Sequence, residues 1–306
     1  MSPRLSLAST PPSWRGRLAT AAAVLGNTVS RMPLAAEAVP IAGAFVCSLL
    51  LYGRIAGVAA EPGWRWLGGV ASFFLLFVQL RLIDDLDDLE RDYPAGHPLA
   101  TRRAVIRTRI FATLAASALL LVALNAGMWR ASTAAAAAMA LAVAAPFVFK
   151  RLFPTRPLLC SPAFEGAPFA IFAYGYFFWR DVGGNESSCL VMLCVAGSMW
   201  TGYQFWKFSR KAGTAALQPY HLSARGIRVA LNALLILALA LNVSLSMLAR
   251  LSHLYSIYAV ALPLAWLVWL NATWPSPARK PGRPRWAGTR FVVALELGLL
   301  AELLLK

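Results

Sequence analysis

Charged residues are scarce in this chain, at 14% of its 306 residues. Soluble proteins of this size carry about 25% charged residues, so the deficit excludes an ordinary water-soluble fold. Hydrophobic residues make up 59% of the sequence, and the mean hydropathy is +0.60. Together these values indicate a protein whose solvent is largely lipid.

Acidic residues and cysteines are also few. The chain has 13 acidic against 29 basic residues, which gives a formal net charge of +16. The basic residues occupy short connections between apolar runs rather than one stripe, so we expect no nucleic-acid binding. The four cysteines lack the spacing of metal ligands, and we interpret them as buried residues without disulfides. Nucleotide-binding loops, serine-hydrolase elbows and zinc-protease motifs are missing as well.

Residues 1–33 contain four arginines and no acidic residue. No compact apolar segment followed by a cleavage-like site occurs there, so we do not expect a secretory signal. An organelle transit peptide stays an alternative. We predict a cytoplasmic N-terminal segment at 1–33 and one transmembrane domain at 34–306.

The rest of the chain divides into apolar runs of the length that crosses a bilayer as a helix, about 17–25 residues. The sequence therefore predicts an all-α, polytopic membrane protein with nine spans. The fifth is the weakest, because glycine and proline interrupt it. The predicted spans are 34–52, 67–92, 104–124, 133–149, 164–179, 188–206, 226–248, 254–274 and 289–305.

Basic residues alternate between the two sides of this arrangement. Of the 29 Lys and Arg residues, 22 lie in or beside the N-terminal segment and the connections after spans two, four, six and eight. Cytoplasmic connections are enriched in basic residues, so the N-terminus is predicted inside and the C-terminus on the far side. The alternative is seven or eight spans with one re-entrant segment.

Six of the 13 acidic residues fall within residues 84–92, at the predicted cytoplasmic end of the second span. On a helix, Asp85, Asp88, Asp92 and Arg81 share one face within an arc of about 60°. Carboxylates on one stripe repel each other and are costly to desolvate unless a cation neutralises them. Mg²⁺ prefers such oxygen ligands and is commonly completed by substrate phosphates. The stripe favours a diphosphate site; the alternative is a solvated acidic helix end paired with nearby arginines.

The spacing of these aspartates resembles the first aspartate-rich motif of the UbiA superfamily of intramembrane prenyltransferases, usually written N-D-x-x-D-x-x-x-D. Asp84 stands in the place of the usual Asn. Residues 31–34, 97–98 and 149–154 are similar to the family at corresponding positions. The resemblance implies a nine-helix UbiA-like transmembrane bundle, in a bacterial inner membrane, that transfers a prenyl group from an isoprenyl diphosphate with Mg²⁺. It also implies that Asp85, Asp88 and Asp92 are the catalytic metal ligands.

The second aspartate motif of that family is missing. The matching stretch, 203–211, contains no carboxylate, and Gln204, Lys207 and Lys211 repeat the spacing of the first stripe. One hypothesis is that Lys207, Arg210 and Lys211 contact the diphosphate and replace a second metal site. The other is that they are ordinary inside-facing charges and that catalysis has been lost or changed.

Other candidates follow from position alone. The diphosphate-binding set is predicted to include Arg81, Asp84 and Gln204, and also Arg102 and Arg103 in the connection after span two, where loop charges are equally expected.

Glu165 near the start of span five is a candidate because acids are rare within membranes. Glu296 and Glu302 in span nine follow the same argument, with no identifiable partner. Four aromatic residues of span five are candidates for a prenyl-chain tunnel, although a lipid-facing or packed role is favoured: Tyr174, Tyr176, Phe177 and Phe178.

The leading hypothesis is therefore a Mg²⁺-dependent prenyltransferase acting on a polyprenyl diphosphate and an unidentified small-molecule acceptor in membrane lipid. A terpene cyclase of the same superfamily is the close alternative, since it needs the same ionisation but no acceptor. A non-catalytic transporter or scaffold is the alternative from another class. Against transport, the acids lie at one helix end rather than near the bilayer midplane.

Overall fold

The computed structural model describes residues 34–58, 63–89, 103–152, 157–182, 189–211, 224–274 and 284–304, with some side chains near helix ends left out. Throughout these ranges the regular structure is helical, and each of the nine predicted spans is confirmed as a long helix. The helices are α1 Leu34–Ala56, α2 Trp64–Asp87, α3 Arg103–Leu124, α4 Trp129–Ala144, α5 Pro157–Asp181, α6 Cys189–Lys211, α7 Ala224–Leu248, α8 His253–Thr273 and α9 Pro284–Leu304.

The protein is a multi-pass α-helical membrane protein. Five of the helices (α2, α3, α4, α7 and α8) are long and apolar enough to cross a bilayer by length and composition. Large apolar side chains on α3, α7 and α8 point outward: Leu119 is 73% exposed, Met247 76% and Leu254 80%. Outward-facing apolar residues of this size are stable against lipid and costly in water.

Helices that follow one another in the chain pack side by side from α1 to α3 and from α4 to α9, and α9 returns to pack on α1. α5 also contacts α1 and α2, so it lies toward the middle of the bundle. Aromatic rings fill this middle. Phe45 on α1 has ring centroids 5.2 Å from Phe73 on α2 and 5.4 Å from Phe178 on α5. A Cβ atom at Gly69 would lie 2.7 Å from ring atoms of Phe45 and Phe178, so only glycine allows α2 to approach this closely.

Polar side chains inside the bundle are satisfied by neighbouring helices. Tyr174 on α5 donates a hydrogen bond of 2.7 Å to Asn125, which donates one of 2.9 Å to Ser72 on α2. Lipid offers no partner to such groups, so internal hydrogen bonds are needed at this depth. Tyr174 and Phe178 belong to the buried core.

Two helix ends depart from a simple span. α4 continues as a π-helical turn, Ala145–Phe149, and then as a short helix, Lys150–Leu152. Pro146 lies in the π turn and has no N–H to donate to the preceding turn, which is a common cause of such a distortion.

α2 ends earlier than the predicted boundary at residue 92. Its last helical residue is Asp87, and Asp88 caps it with a backbone N–H that donates 2.9 Å to the Asp84 carbonyl. Carboxylates near a helix C-terminus are repelled by the partial negative charge of the last carbonyl groups, so an aspartate run favours ending the helix. Asp92 lies outside the described residues.

Candidate active site

One end of the bundle collects the predicted site residues. α2 and α6 end there, and three aromatic rings join them to α5. The ring of Phe77 on α2 lies 5.5 Å from Phe172 on α5 and 5.6 Å from Tyr203 on α6. We call this end the mouth and define it by residues 84–88 at the end of α2, Glu165 of α5 and residues 204–207 of α6.

Two aspartates of α2 form ion pairs with one arginine of the same helix. Arg81 Nη1 lies 2.7 Å from Asp84 Oδ2, and Arg81 Nη2 lies 3.1 Å from Asp85 Oδ1. The Asp84 side chain is 51% exposed, whereas that of Asp85 is only 12% exposed. Arg81 therefore offsets part of the negative charge on α2, and Asp85 is the more enclosed of its two carboxylate partners.

Asp88 is half-buried and keeps right-handed helical backbone angles, φ −83° and ψ −4°. Asp85 and Asp88 therefore stay on the same helical face, although α2 ends at Asp87. Asp85, Asp87 and Asp88 all have interaction partners. The structure describes two residues of the predicted three-residue stripe, Asp85 and Asp88. The third, Asp92, lies outside the described residues.

The polar stretch of α6 has a carboxylate partner on α5. Lys207 Nζ lies 2.9 Å from Glu165 Oε1, with side chains 21% and 13% exposed respectively. The side-chain amide of Gln204 donates to the other oxygen of Glu165. A further bond of 2.9 Å runs from Trp200 Nε1 to the Glu165 backbone carbonyl. Glu165 therefore gathers three side chains of α6 around one residue of α5.

This arrangement supplies a carboxylate where α6 has none. Gln204 is 1% exposed, and its carbonyl oxygen has no hydrogen-bond partner in the described ranges. The group combines one negative charge, one positive charge and a buried acceptor atom. Such a group can bind a ligand by exchanging its internal contacts for contacts to that ligand.

The remaining predicted cations are placed only in part. Arg103 is the first residue of α3, is half-buried, and its Nε has no hydrogen-bond partner among the described residues. One turn further, Ile106 packs on Leu82 of α2, which holds this end of α3 at the mouth. Arg210 and Lys211 belong to the last turn of α6, but their side chains are not described. Arg102 falls in an undescribed connection.

An apolar cavity lies beside the mouth, inside the bundle. Its volume is about 60 Å³, and it is partly open to the outside. Aromatic and apolar residues make most of the wall, and Glu296 is the acidic residue among them. The lining residues are Pro40, Ile41, Ala44, Phe77, Phe172, Met199, Gly202, Tyr203, Trp206, Thr289, Val292, Leu295 and Glu296.

The donor chemistry of the mouth fits Mg²⁺. Within the described ranges, no three His, Cys, Asp or Glu side chains already cluster as ligands. Mg²⁺ commonly takes one or two carboxylates and completes its shell with water and substrate phosphates. Asp85 and Asp88, one helical turn apart, provide such a pair.

Sequence reasoning found the acidic side of the mouth but not its internal contacts. The pairing of Glu165 with Lys207 has no motif, since the two residues are 42 positions apart. The only signal was the rarity of an acid in an apolar run. The aromatic residues proposed as tunnel lining, Tyr174, Tyr176, Phe177 and Phe178, are absent from this cavity wall, where Phe77 and Phe172 lie instead.

Among known proteins, a solved structure has a fold similar to that of this chain. No family model matches the chain, and no curated protein sequence matches it significantly. A solved structure of a digeranylgeranylglyceryl phosphate synthase in membranes is similar, with a TM-score of 0.53 over 88% of this chain and 98% of that one. The sequences are 14% identical, so the likeness shows the fold alone. The predicted nine-helix UbiA-like transmembrane bundle is confirmed at that level.

Proposed function

We propose that this protein is a membrane prenyltransferase that moves a prenyl group from a polyprenyl diphosphate to a small-molecule acceptor. One observation carries the proposal: a mouth with both acidic and basic side chains lies beside an apolar cavity. Phe77 and Tyr203 line that cavity. Phe77 lies two turns before Asp84 on α2, and Tyr203 directly precedes Gln204 on α6. A polyprenyl diphosphate has the same division into a charged head and an apolar chain. The fold shared with a synthase that acts in membranes supports the proposal.

The acidic side of the mouth would hold the metal. Asp85, Asp88 and Asp92 are the proposed ligands, and Mg²⁺ bound there would offset the charge that develops on the leaving diphosphate. Arg81 now pairs with Asp84 and Asp85. Its guanidinium matches phosphate oxygens as well as carboxylates, so it can turn to the diphosphate when the aspartates take a cation.

The basic side of the mouth would bind the diphosphate directly. Lys207, Arg210 and Lys211 follow one another on the last turns of α6, and Arg103 begins α3 at the same end. Glu165 holds the Lys207 ammonium in place through their 2.9 Å contact. Positioning of this kind lowers the entropy that is lost when the phosphate is bound.

The cavity would hold the prenyl chain and keep water from the reacting carbon. Phe77, Phe172 and Tyr203 form its aromatic wall near the mouth. Aromatic faces stabilise nearby positive charge, and an apolar wall reduces hydrolysis of a reactive cation. The bond that breaks joins the allylic carbon to the diphosphate oxygen, and the bond that forms joins that carbon to the acceptor, which releases a proton as the diphosphate leaves.

The proposal is tested by diphosphate release from purified protein in detergent. The donors are geranyl, farnesyl and geranylgeranyl diphosphate, each with Mg²⁺ and with EDTA. We expect release that requires Mg²⁺. A hydrocarbon or cyclic alcohol formed without acceptor would instead establish the cyclase. No release with any donor, acceptor candidates included, would contradict both enzymes and leave a transporter or scaffold.

A further inference from the structure

Glu296 is an acid in the cavity wall that none of the proposed steps uses. It lies on α9, is 8% exposed, and lines the apolar cavity. Its backbone carbonyl accepts a weak contact from Cys47 Sγ at 3.9 Å. Among the residues that the structure describes, its carboxyl group has no hydrogen-bond or ion-pair partner.

The carboxyl group is held in a narrow space between α9 and α1. A Cβ atom on Gly43 would lie 2.7 Å from Glu296 Oε2, which is closer than such atoms approach. Glycine at position 43 therefore makes room for the carboxyl group. Ile41 and Ala44 of the same helix line the cavity beside it.

Glu302, the other acidic residue of α9, differs from Glu296 because its carboxyl group has hydrogen-bond partners. Glu302 accepts a hydrogen bond of 2.7 Å from the Ser252 backbone N–H and a second from the Ser252 hydroxyl. It thereby supports the start of α8. Glu296 has no comparable structural task in the described ranges.

An unpartnered carboxyl group in an apolar cavity is energetically unfavourable. Intramembrane acids that persist usually face a functional cavity. A ligand that brings a hydrogen-bond donor to Glu296 would recover part of this energy, whereas an ionised carboxylate would itself have to be desolvated in the cavity.

We propose that Glu296 selects the acceptor by binding its hydroxyl or amino group. This inference rests on the proposed function, since it assigns part of the cavity to the second substrate. The acceptor is thus an apolar small molecule with a hydrogen-bond donor. Glu296 is a specificity residue and takes no part in breaking the diphosphate bond.

Four probes that differ only in their polar group test this proposal: geraniol, geranylamine, geranyl methyl ether and geranic acid. Binding is measured by calorimetry with the protein in lipid nanodiscs, and empty nanodiscs give the blank. We expect geraniol and geranylamine to bind roughly tenfold more tightly than the ether, and geranic acid to bind most weakly. Equal affinities for geraniol and the ether would overturn the proposal.

Two variants at the same position separate recognition from packing. Glu296→Leu is expected to remove the preference for geraniol over the ether. Glu296→Gln keeps the shape and an acceptor oxygen, so it should retain geraniol binding. Glu302→Gln, the control on the same helix, should leave every probe unchanged. A preference for geraniol that persists in a folded Glu296→Leu protein would also overturn the proposal.

These measurements use no diphosphate and no Mg²⁺, so they fail or succeed independently of the proposed function. Asp85→Asn is expected to bind all four probes as the wild type does. Donor-selective binding without diphosphate release would contradict prenyl transfer and leave a ligand site at Glu296. Release without donor-selective binding would contradict only the assignment of Glu296.

Discussion

Glu165 on α5 and Lys207 on α6 form an ion pair across two helices, with 2.9 Å between Oε1 and Nζ. The pair places a carboxylate beside a helix end whose own sequence, residues 203–211, contains none. It also holds Lys207 near Gln204, which donates to the second oxygen of Glu165. The mouth thus has an acidic group on α2 and a mixed group shared by α5 and α6.

The first prediction concerns the strength of this pair. Both side chains are largely buried, so removing one partner leaves the other poorly solvated. We expect Glu165→Gln and Lys207→Met each to lower the free energy of unfolding by about 1–3 kcal/mol. Their combination should cost less than the sum of the two, by at least about 0.5 kcal/mol. Reversible unfolding in mixed micelles measures all three values.

Asp84→Asn is the control for that series. Asp84 pairs with Arg81 within one helix, and its side chain is 51% exposed. Exposed pairs of this kind contribute little, so the change should stay within about 0.5 kcal/mol. Strictly additive effects of Glu165→Gln and Lys207→Met would show that the two residues do not interact in the folded protein.

The sequence predicted the helices well because each depends on a local property, the length and polarity of an apolar run. Helix ends were harder, as the early end of α2 at Asp87 shows. The aspartates of α2 were identified because they are neighbours in sequence. Glu165 and Lys207 could not be paired in advance, because their contact depends on how α5 and α6 rotate about their axes. The same holds for Glu296 and Gly43, which meet across α9 and α1.

The second prediction concerns the length of the prenyl chain. Gly202 lines the cavity, and a Cβ atom there would meet nothing closer than 3.5 Å. Gly202→Leu should fold and fill part of the cavity. We expect its KM for geranylgeranyl diphosphate to rise at least about fivefold more than its KM for geranyl diphosphate.

Gly197→Ala is the matched control for Gly202→Leu, because Gly197 lies on the same helix and faces Leu241 rather than the cavity. It should change both KM values equally or not at all. If Gly202→Leu also affects the two donors equally, the prenyl chain does not occupy this cavity.

The third prediction concerns orientation. The distribution of basic residues predicts a cytoplasmic N-terminus, and an odd number of spans places the C-terminus on the opposite side. An alkaline phosphatase fused after Lys306 should therefore be active in a bacterial host, and the same enzyme fused before Met1 should be inactive. Activity at neither end or at both ends would favour an even number of spans with a re-entrant segment.

The central claim is that carboxylates on one face of α2 ionise a prenyl diphosphate. The most direct measurement compares Mg²⁺-dependent diphosphate release by Asp85→Asn and Asp87→Asn, which make the same change in charge two residues apart. The account predicts that Asp85→Asn lowers the rate at saturating donor by about 100-fold or more, with Asp87→Asn within about threefold of the wild type. Equal losses in the two variants, or unchanged release by Asp85→Asn, would contradict it.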